Sequence, residues 1–238
     1  TTQDYFSYYK LDQARAKGDT GKGVTIAMID GPVDTSAPEL AGANITVKTP
    51  CEFEARTRSK LHATAVASIL VSKNYGLAPD ATLIAYAHAD SSEEGTRKCK
   101  KLDASDSVAG LIQTAINDGA QIISISTVAW HQNDQDKWAI ARAMAQGVIV
   151  VAGMGNDAKE ENDITYARWS GTVGVSAIGT DGQLSSYSSW GPGVVAAGVG
   201  GPIKARDYDT GGVKDVQGTS FATPVVAGQI ALARSRWP

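Results

Sequence analysis

Val24-Thr25-Ile26-Ala27-Met28-Ile29-Asp30 is the stretch whose reading decides the fold. Apolar residues follow one another there without polar alternation, so both faces must be covered, which is the mark of a strand inside a parallel sheet. A turn, Thr20-Gly21-Lys22-Gly23, leads into it, and a short helix over 11–17 closed by Gly18 stands before that turn. Downstream, apolar runs predict strands over 43–47, 82–87, 122–126 and 148–152. Between them a helix is predicted over 61–70 and another over 105–118, where Val108, Leu111, Ile112, Ala115 and Ile116 share one face and Gly119 is the stop. A third helix covers 136–146 and ends at Gly147. Past residue 170 the strands become shorter and richer in Gly and Ser (172–177, 194–197 and 213–216). A last helix then opens at Ser220, with Pro224 placed in its first turn. Alternation of this kind predicts an α/β fold, a three-layer α/β/α arrangement around a central, mostly parallel sheet. No repeat or linker breaks residues 1–238, so one domain is expected.

Composition narrows the function classes. The 238 residues are 42% hydrophobic, enough for a substantial core. A net charge of −3 gives no basic face for phosphates, so nucleic acid is not an expected partner. No apolar run reaches the length of about eighteen residues that a membrane-spanning helix needs. Thr1-Thr2-Gln3-Asp4-Tyr5-Phe6 is no signal peptide, which leaves room for a leader or pro-segment removed beforehand. Cys51 and Cys99 stand in charged loops, and their spacing is not that of metal ligands. One disulfide between them is the expectation, favouring a secreted or cell-envelope protein; two unlinked thiols of a cytoplasmic protein are the alternative.

In parallel sheets functional groups gather beyond the carboxyl ends of the strands. Asp30, Ser126 and Asn156 all fall there. Of the three histidines, His62 opens His62-Ala63-Thr64-Ala65-Val66-Ala67, whose small residues let a helix approach a sheet; His88 follows a strand and is the reserve candidate, and His131 sits in a polar loop. Gly218-Thr219-Ser220-Phe221-Ala222-Thr223-Pro224 puts a serine at a helix start, where free N–H groups and the helix dipole stabilise negative charge. A carboxylate, an imidazole and a hydroxyl together make an activated nucleophile, and Asn156 in Gly153-Met154-Gly155-Asn156 offers an amide to the resulting oxyanion.

Those four blocks, in the order Asp, His, Asn, Ser, resemble the subtilisin family of serine proteases, and the likeness runs from Thr20 to Leu232. The resemblance implies that Ser220 attacks the scissile carbonyl and His62 moves the proton. Asp30 would orient His62, while Asn156 and the Ser220 N–H would bind the oxyanion. It also implies that Ser126-Thr127-Val128 pairs with an extended peptide, and that Gly153-Met154-Gly155 walls the pocket for the residue before the cut. The expected partner is therefore a peptide or protein substrate.

Departures from the family pattern carry information. The usual His-Gly-Thr-His-Val-Ala-Gly reads His62-Ala63-Thr64-Ala65-Val66-Ala67-Ser68 here, and Val128 replaces a common glycine, which should narrow the cleft toward selective cleavage. The stretch after Leu70 is shorter than the calcium loop of calcium-stabilised relatives, so no cofactor is expected and that high-affinity metal site is doubtful. The chain also stops soon after the Ser220 helix, where relatives continue. Asp30-Gly31-Pro32-Val33-Asp34 and Val66-Ala67-Ser68-Ile69 resemble the subtilisin-type proteases of cyanobactin maturation, whose ring-forming sister type caps its site with a helical insertion between Asp and His. The short stretch between Asp30 and His62 favours hydrolysis over macrocyclisation. A transpeptidase and a non-catalytic peptide-binding relative are the alternatives.

Overall fold

The computed structural model of the chain describes residues 2–90, 93–98, 107–127, 133–160 and 165–237. Its strands are β1 (Thr25–Asp30), β2 (Asn44–Lys48), β3 (Thr82–Ala87), β4 (Ile122–Ile125), β5 (Ile149–Gly153), β6 (Thr172–Ile178) and β7 (Val194–Val199). They form one seven-stranded sheet in the order β2-β3-β1-β4-β5-β6-β7, every pairing parallel. A separate antiparallel pair, β8 (Ile203–Arg206) and β9 (Val213–Val216), leads into the last helix. The helices are α1 (Asp4–Tyr8), α2 (Leu11–Ala16), α3 (Thr57–Val71), α4 (Val108–Asn117), α5 (Asp134–Ala145) and α6 (Thr219–Arg236).

The two faces of β1 show why its sequence does not alternate. Ile26 and Met28 are buried in one core with Val66, Ile69 and Leu70 of α3 and Val225 and Val226 of α6. Ala27 and Ile29 are buried in the other with Leu111 and Ile112 of α4 and Ile140 of α5. Each fully buried aliphatic side chain contributes about 1.5–3 kcal/mol, so the sheet is clamped from both sides. The three-layer α/β/α arrangement follows. Register then brings the strand exits level: Asp30 lies opposite Ala87, Ile29 opposite Ile125, and Ile125 opposite Ala152.

Three expectations about elements need correction. The helix carrying His62 starts at Thr57, not at residue 61, so His62 sits in its second turn. Its N-cap position is Arg56, which makes no side-chain capping bond, so no capping signal marks the start. Pro224 lies inside α6, as its sixth residue, rather than in the first turn, because the helix already begins at Thr219. By contrast, α5 starts at Asp134 behind a capping box made by Asn133 and Asp136, a recognisable signal that the predicted boundary at 136 overran. The short elements α1 and β8 are additional.

Candidate active site

Asp30 ends β1, and its side chain is almost fully enclosed, at 3% exposure. Its Oδ1 accepts the Gly31 N–H at 2.7 Å and lies 2.8 Å from His62 Nδ1. A carboxylate only accepts hydrogen bonds, so the proton is on Nδ1 and Nε2 is left as the basic nitrogen of the neutral ring. Asp30 Oδ2 is buried and has no hydrogen-bond partner among the described residues. Pro32, two residues on, has no N–H to offer it, so the carboxylate charge is answered by His62 and Gly31.

The imidazole titrates above its ordinary value of 6.5. Burial works against the charged ring, but the Asp30 carboxylate outweighs it through both charge and hydrogen bond, with Arg58 lowering and Asp90 raising the balance further. Close approach of α3 to the end of β1 depends on Gly31. A Cβ there would stand 3.0 Å from the Ser59 carbonyl oxygen and 3.2 Å from Ser59 Cβ.

A loop after β3 braces the same helix. Glu93 is 1% exposed; its Oε1 accepts the N–H of Arg56 at 2.7 Å, and its Oε2 accepts the N–H of Asp90 at 3.3 Å. Asp90 in turn accepts from the Ser59 hydroxyl at 3.3 Å. A buried carboxylate thus stands at the N-terminus of α3, where the dipole favours negative charge. No motif in the sequence points to Glu93; only the fold shows it.

Ser220 is the second residue of α6, where the N–H groups have no intrahelical acceptor. Gly218 lets the site close up: a Cβ there would be 3.1 Å from Ser220 Oγ and 3.5 Å from Asn156 Nδ2, so hydroxyl and amide face one small space. Asn156 Oδ1 accepts the Thr219 N–H at 2.7 Å, which orients the side chain and leaves Nδ2 as the donor. Thr219 is held twice more. Its Oγ1 accepts from Gly155 N at 3.1 Å, and its carbonyl accepts from Thr223 Oγ1 at 2.8 Å. Gly155 has φ +100°, a conformation that favours glycine, and this turns the chain toward Asn156. Gly153 is also required, because a Cβ would meet Thr223 Oγ1 at 3.0 Å and Thr219 Oγ1 at 3.1 Å.

The two halves meet where the rings of His62 and Phe221 stand 5.1 Å apart. His62 makes its hydrogen bond to Asp30 and none to Ser220 Oγ among the described residues. Such contacts commonly tighten only when substrate closes the site. Of the residues expected to pair with a peptide, Ser126 and Thr127 follow directly on β4, and Val128 lies outside the described residues. Met154 is completely buried, in the core cluster that holds the apolar faces of α4 and α5.

His88 binds Asp30 through its backbone, its N–H donating to the Asp30 carbonyl at 2.7 Å, while His62 holds the carboxylate; His131 lies outside the described residues. Cys51 is buried, no described cysteine is a free thiol, and Cys99 falls outside the described residues. Among the described residues no helix is long and apolar enough to cross a membrane, and no group of three or more His, Cys, Asp or Glu is placed to hold a metal ion.

A model of the subtilase family matches residues 21–238. This chain belongs to the subtilase family. Among its relatives, a thermostable alkaline protease of Halalkalibacterium halodurans is 30% identical over 241 residues, which cover 98% of this chain and 62% of that protein. This subtilase therefore spans about three fifths of that relative's length. The solved structure of the prenylagaramide maturation protease PagA aligns with a TM-score of 0.77 and 26% identity, covering 95% of this chain and 80% of that one. The PatG macrocyclase in complex with peptide aligns over 96% of this chain and 82% of its own, with a TM-score of 0.78 at 20% identity, a likeness of fold alone.

Proposed function

We propose that this subtilase is a serine endopeptidase that cuts peptide bonds through an acyl-enzyme on Ser220. The observation that carries the reading is the Asp30–His62 bond of 2.8 Å beside the small space shared by Ser220 Oγ and Asn156 Nδ2. His62 Nε2 takes the Ser220 proton as Oγ bonds to the scissile carbonyl carbon, and returns it to the departing amine as the C–N bond breaks. Asp30 stabilises the imidazolium formed in between. Asn156 Nδ2 and the Ser220 N–H receive the oxyanion at the positive end of α6. Water, deprotonated by His62, then releases the acyl group.

Hydrolysis is favoured over ring closure by what lies between Asp30 and α3. Among the described residues that stretch holds a 3-10 turn (Pro38–Leu40) and β2, with no helical cap to keep water from the acyl-enzyme. Selective rather than broad digestion is proposed from the sequence, where the branched Thr127 and Val128 stand in place of the family's usual Leu-Gly. Incubation with a diverse peptide library, followed by mass analysis, tests both. Cleavage at a restricted set of sites with products one water heavier is expected, and its loss in Ser220→Ala is expected too. Products one water lighter than hydrolysis predicts, or turnover retained in Ser220→Ala, would overturn the reading.

A further inference from the structure

We infer that the Ser126 hydroxyl positions the nucleophile by taking over a carbonyl that Pro224 leaves without its helical partner. The inference rests on the reading of Ser220 as nucleophile. In an α-helix each carbonyl is satisfied by the N–H four residues on, so the partner for the Ser220 carbonyl would come from residue 224. That residue is proline, buried inside α6. It has no N–H, and its ring crowds the carbonyl four residues back and tips it away from the helix axis. A carbonyl left unpaired in a half-buried site is costly, so another donor must meet it.

The donor is Ser126, whose Oγ lies 2.8 Å from the Ser220 carbonyl oxygen. Ser126 is itself fixed from the other direction. It follows directly on β4, and its N–H reaches the Ile29 carbonyl on β1 at 3.5 Å, one residue before Asp30. The nucleophile's own peptide group is therefore tied to the strand exits that carry the carboxylate. Fixing the plane of the Ser220–Phe221 peptide fixes ψ of Ser220, and with it the direction in which Cβ carries Oγ. An ordinary residue at 224 would have closed this bond within α6 and left the helix start free to shift against the sheet. Ser126 is thus a positioning residue, through its hydroxyl, in addition to any pairing of its backbone with substrate.

The test is a double-mutant cycle over Ser126→Ala and Pro224→Ala. The readouts are kcat and KM on one fluorogenic peptide taken from the library profile, the rate of Ser220 labelling by a fluorophosphonate, and Tm. Ser126→Ala is expected to lower kcat and the labelling rate by about tenfold with KM within about twofold. Ser126→Thr, which keeps a hydroxyl, is expected to recover most of that loss, and Ser126→Val is not. Pro224→Ala returns an N–H to the Ser220 carbonyl, so in that background Ser126→Ala should cost less than about twofold.

The same factor lost in both backgrounds, or a fall in Tm with an unchanged labelling rate, would overturn the proposal. If Ser126→Ala alone does not fold, Pro224→Ala against the double variant still decides it, since a loss there above about threefold contradicts the proposal. Ser220→Ala run alongside separates the two levels. Turnover surviving in Ser220→Ala removes the nucleophile assignment. Turnover abolished there, with a Ser126 effect indifferent to residue 224, removes only this inference.

Discussion

Around Ser220 the geometry is set by residues that lie within the recognisable motifs, whereas around His62 it is set by a loop from elsewhere in the chain. On the serine side, Gly153, Gly155 and Gly218 give up their side chains so that β5, Asn156 and α6 can close together, and Thr219 ties them with hydrogen bonds. On the histidine side, α3 has no capping side chain of its own, and Glu93 and Asp90 reach across from the loop after β3 to hold its first turn. The serine side is specified by residues of the motifs themselves, brought together from two parts of the chain, and the histidine side by residues that belong to no motif. Substitutions on the first should therefore cut chemistry with little change in stability. Those on the brace of the second should move stability first and chemistry through it.

The largest effect is expected at the joint of the two sides. Asp30→Asn keeps the shape but removes the charge that holds His62, and a fall in kcat of about 10⁴ should follow, the magnitude known for this change in triad proteases. The same substitution has a signature in pH. Turnover needs neutral His62, and the imidazole of the unaltered chain is raised above 6.5, so its rate should climb with rising pH along an acid limb centred above that value. In Asp30→Asn burial remains and the carboxylate does not, so the limb should move to lower pH. A kcat loss below about tenfold, or an unmoved limb, would separate Asp30 from His62 chemistry.

Next comes Asn156→Ala, which removes one oxyanion donor. The expected loss is about 10² to 10³ in kcat, a magnitude established on subtilisin itself and carried to this chain, with Tm nearly unchanged. A loss below about tenfold would take Asn156 out of the site. Smaller still is the effect of Glu93→Ala. It strips the brace from α3 and should cost about 1–3 kcal/mol, read as a drop in Tm of roughly 2–12 °C, with a severalfold fall in kcat. Glu93→Gln, which still offers an acceptor to the Arg56 N–H, should lose distinctly less on both counts. If Glu93→Ala slows turnover at an unchanged Tm, the contrast between the two sides is drawn in the wrong place.

The smallest expected response is to calcium. In the turn after α3, the Lys73 ammonium already occupies the Pro79 carbonyl at 2.6 Å and the Asp80 carboxylate at 2.9 Å, oxygens that a cation in that turn would need. We propose that this turn holds no structural calcium. Adding calcium or a chelator should then shift Tm by less than about 3 °C, and a larger rise with calcium would contradict it.

What the sequence could show follows the same division. The unbroken apolar run of β1, the one-sided apolar stripe of α4 and the glycine stops after α4 and α5 are local patterns, so sheet and layers were legible from them. Asp30, His62, Asn156 and Ser220 were legible because four blocks in a fixed order constrain one another. The start of α3 was not, since its cap is a carboxylate far along the chain rather than a neighbour. The position of Pro224 was misjudged because Thr219, a residue at home outside a helix, already belongs to α6. Its place beyond the first turn makes the proline, rather than a harmless helix opener, the reason why the Ser220 carbonyl bonds Ser126.

The most direct measurement is the site and rate of covalent labelling by a fluorophosphonate, followed on the intact protein and its peptides by mass spectrometry. A single adduct on Ser220 is expected, forming at least about 10³ times more slowly in His62→Ala at an unchanged fold. A folded protein that takes no label, takes it on another residue, or takes it equally fast without His62 would contradict the joint Asp30–His62–Ser220 site.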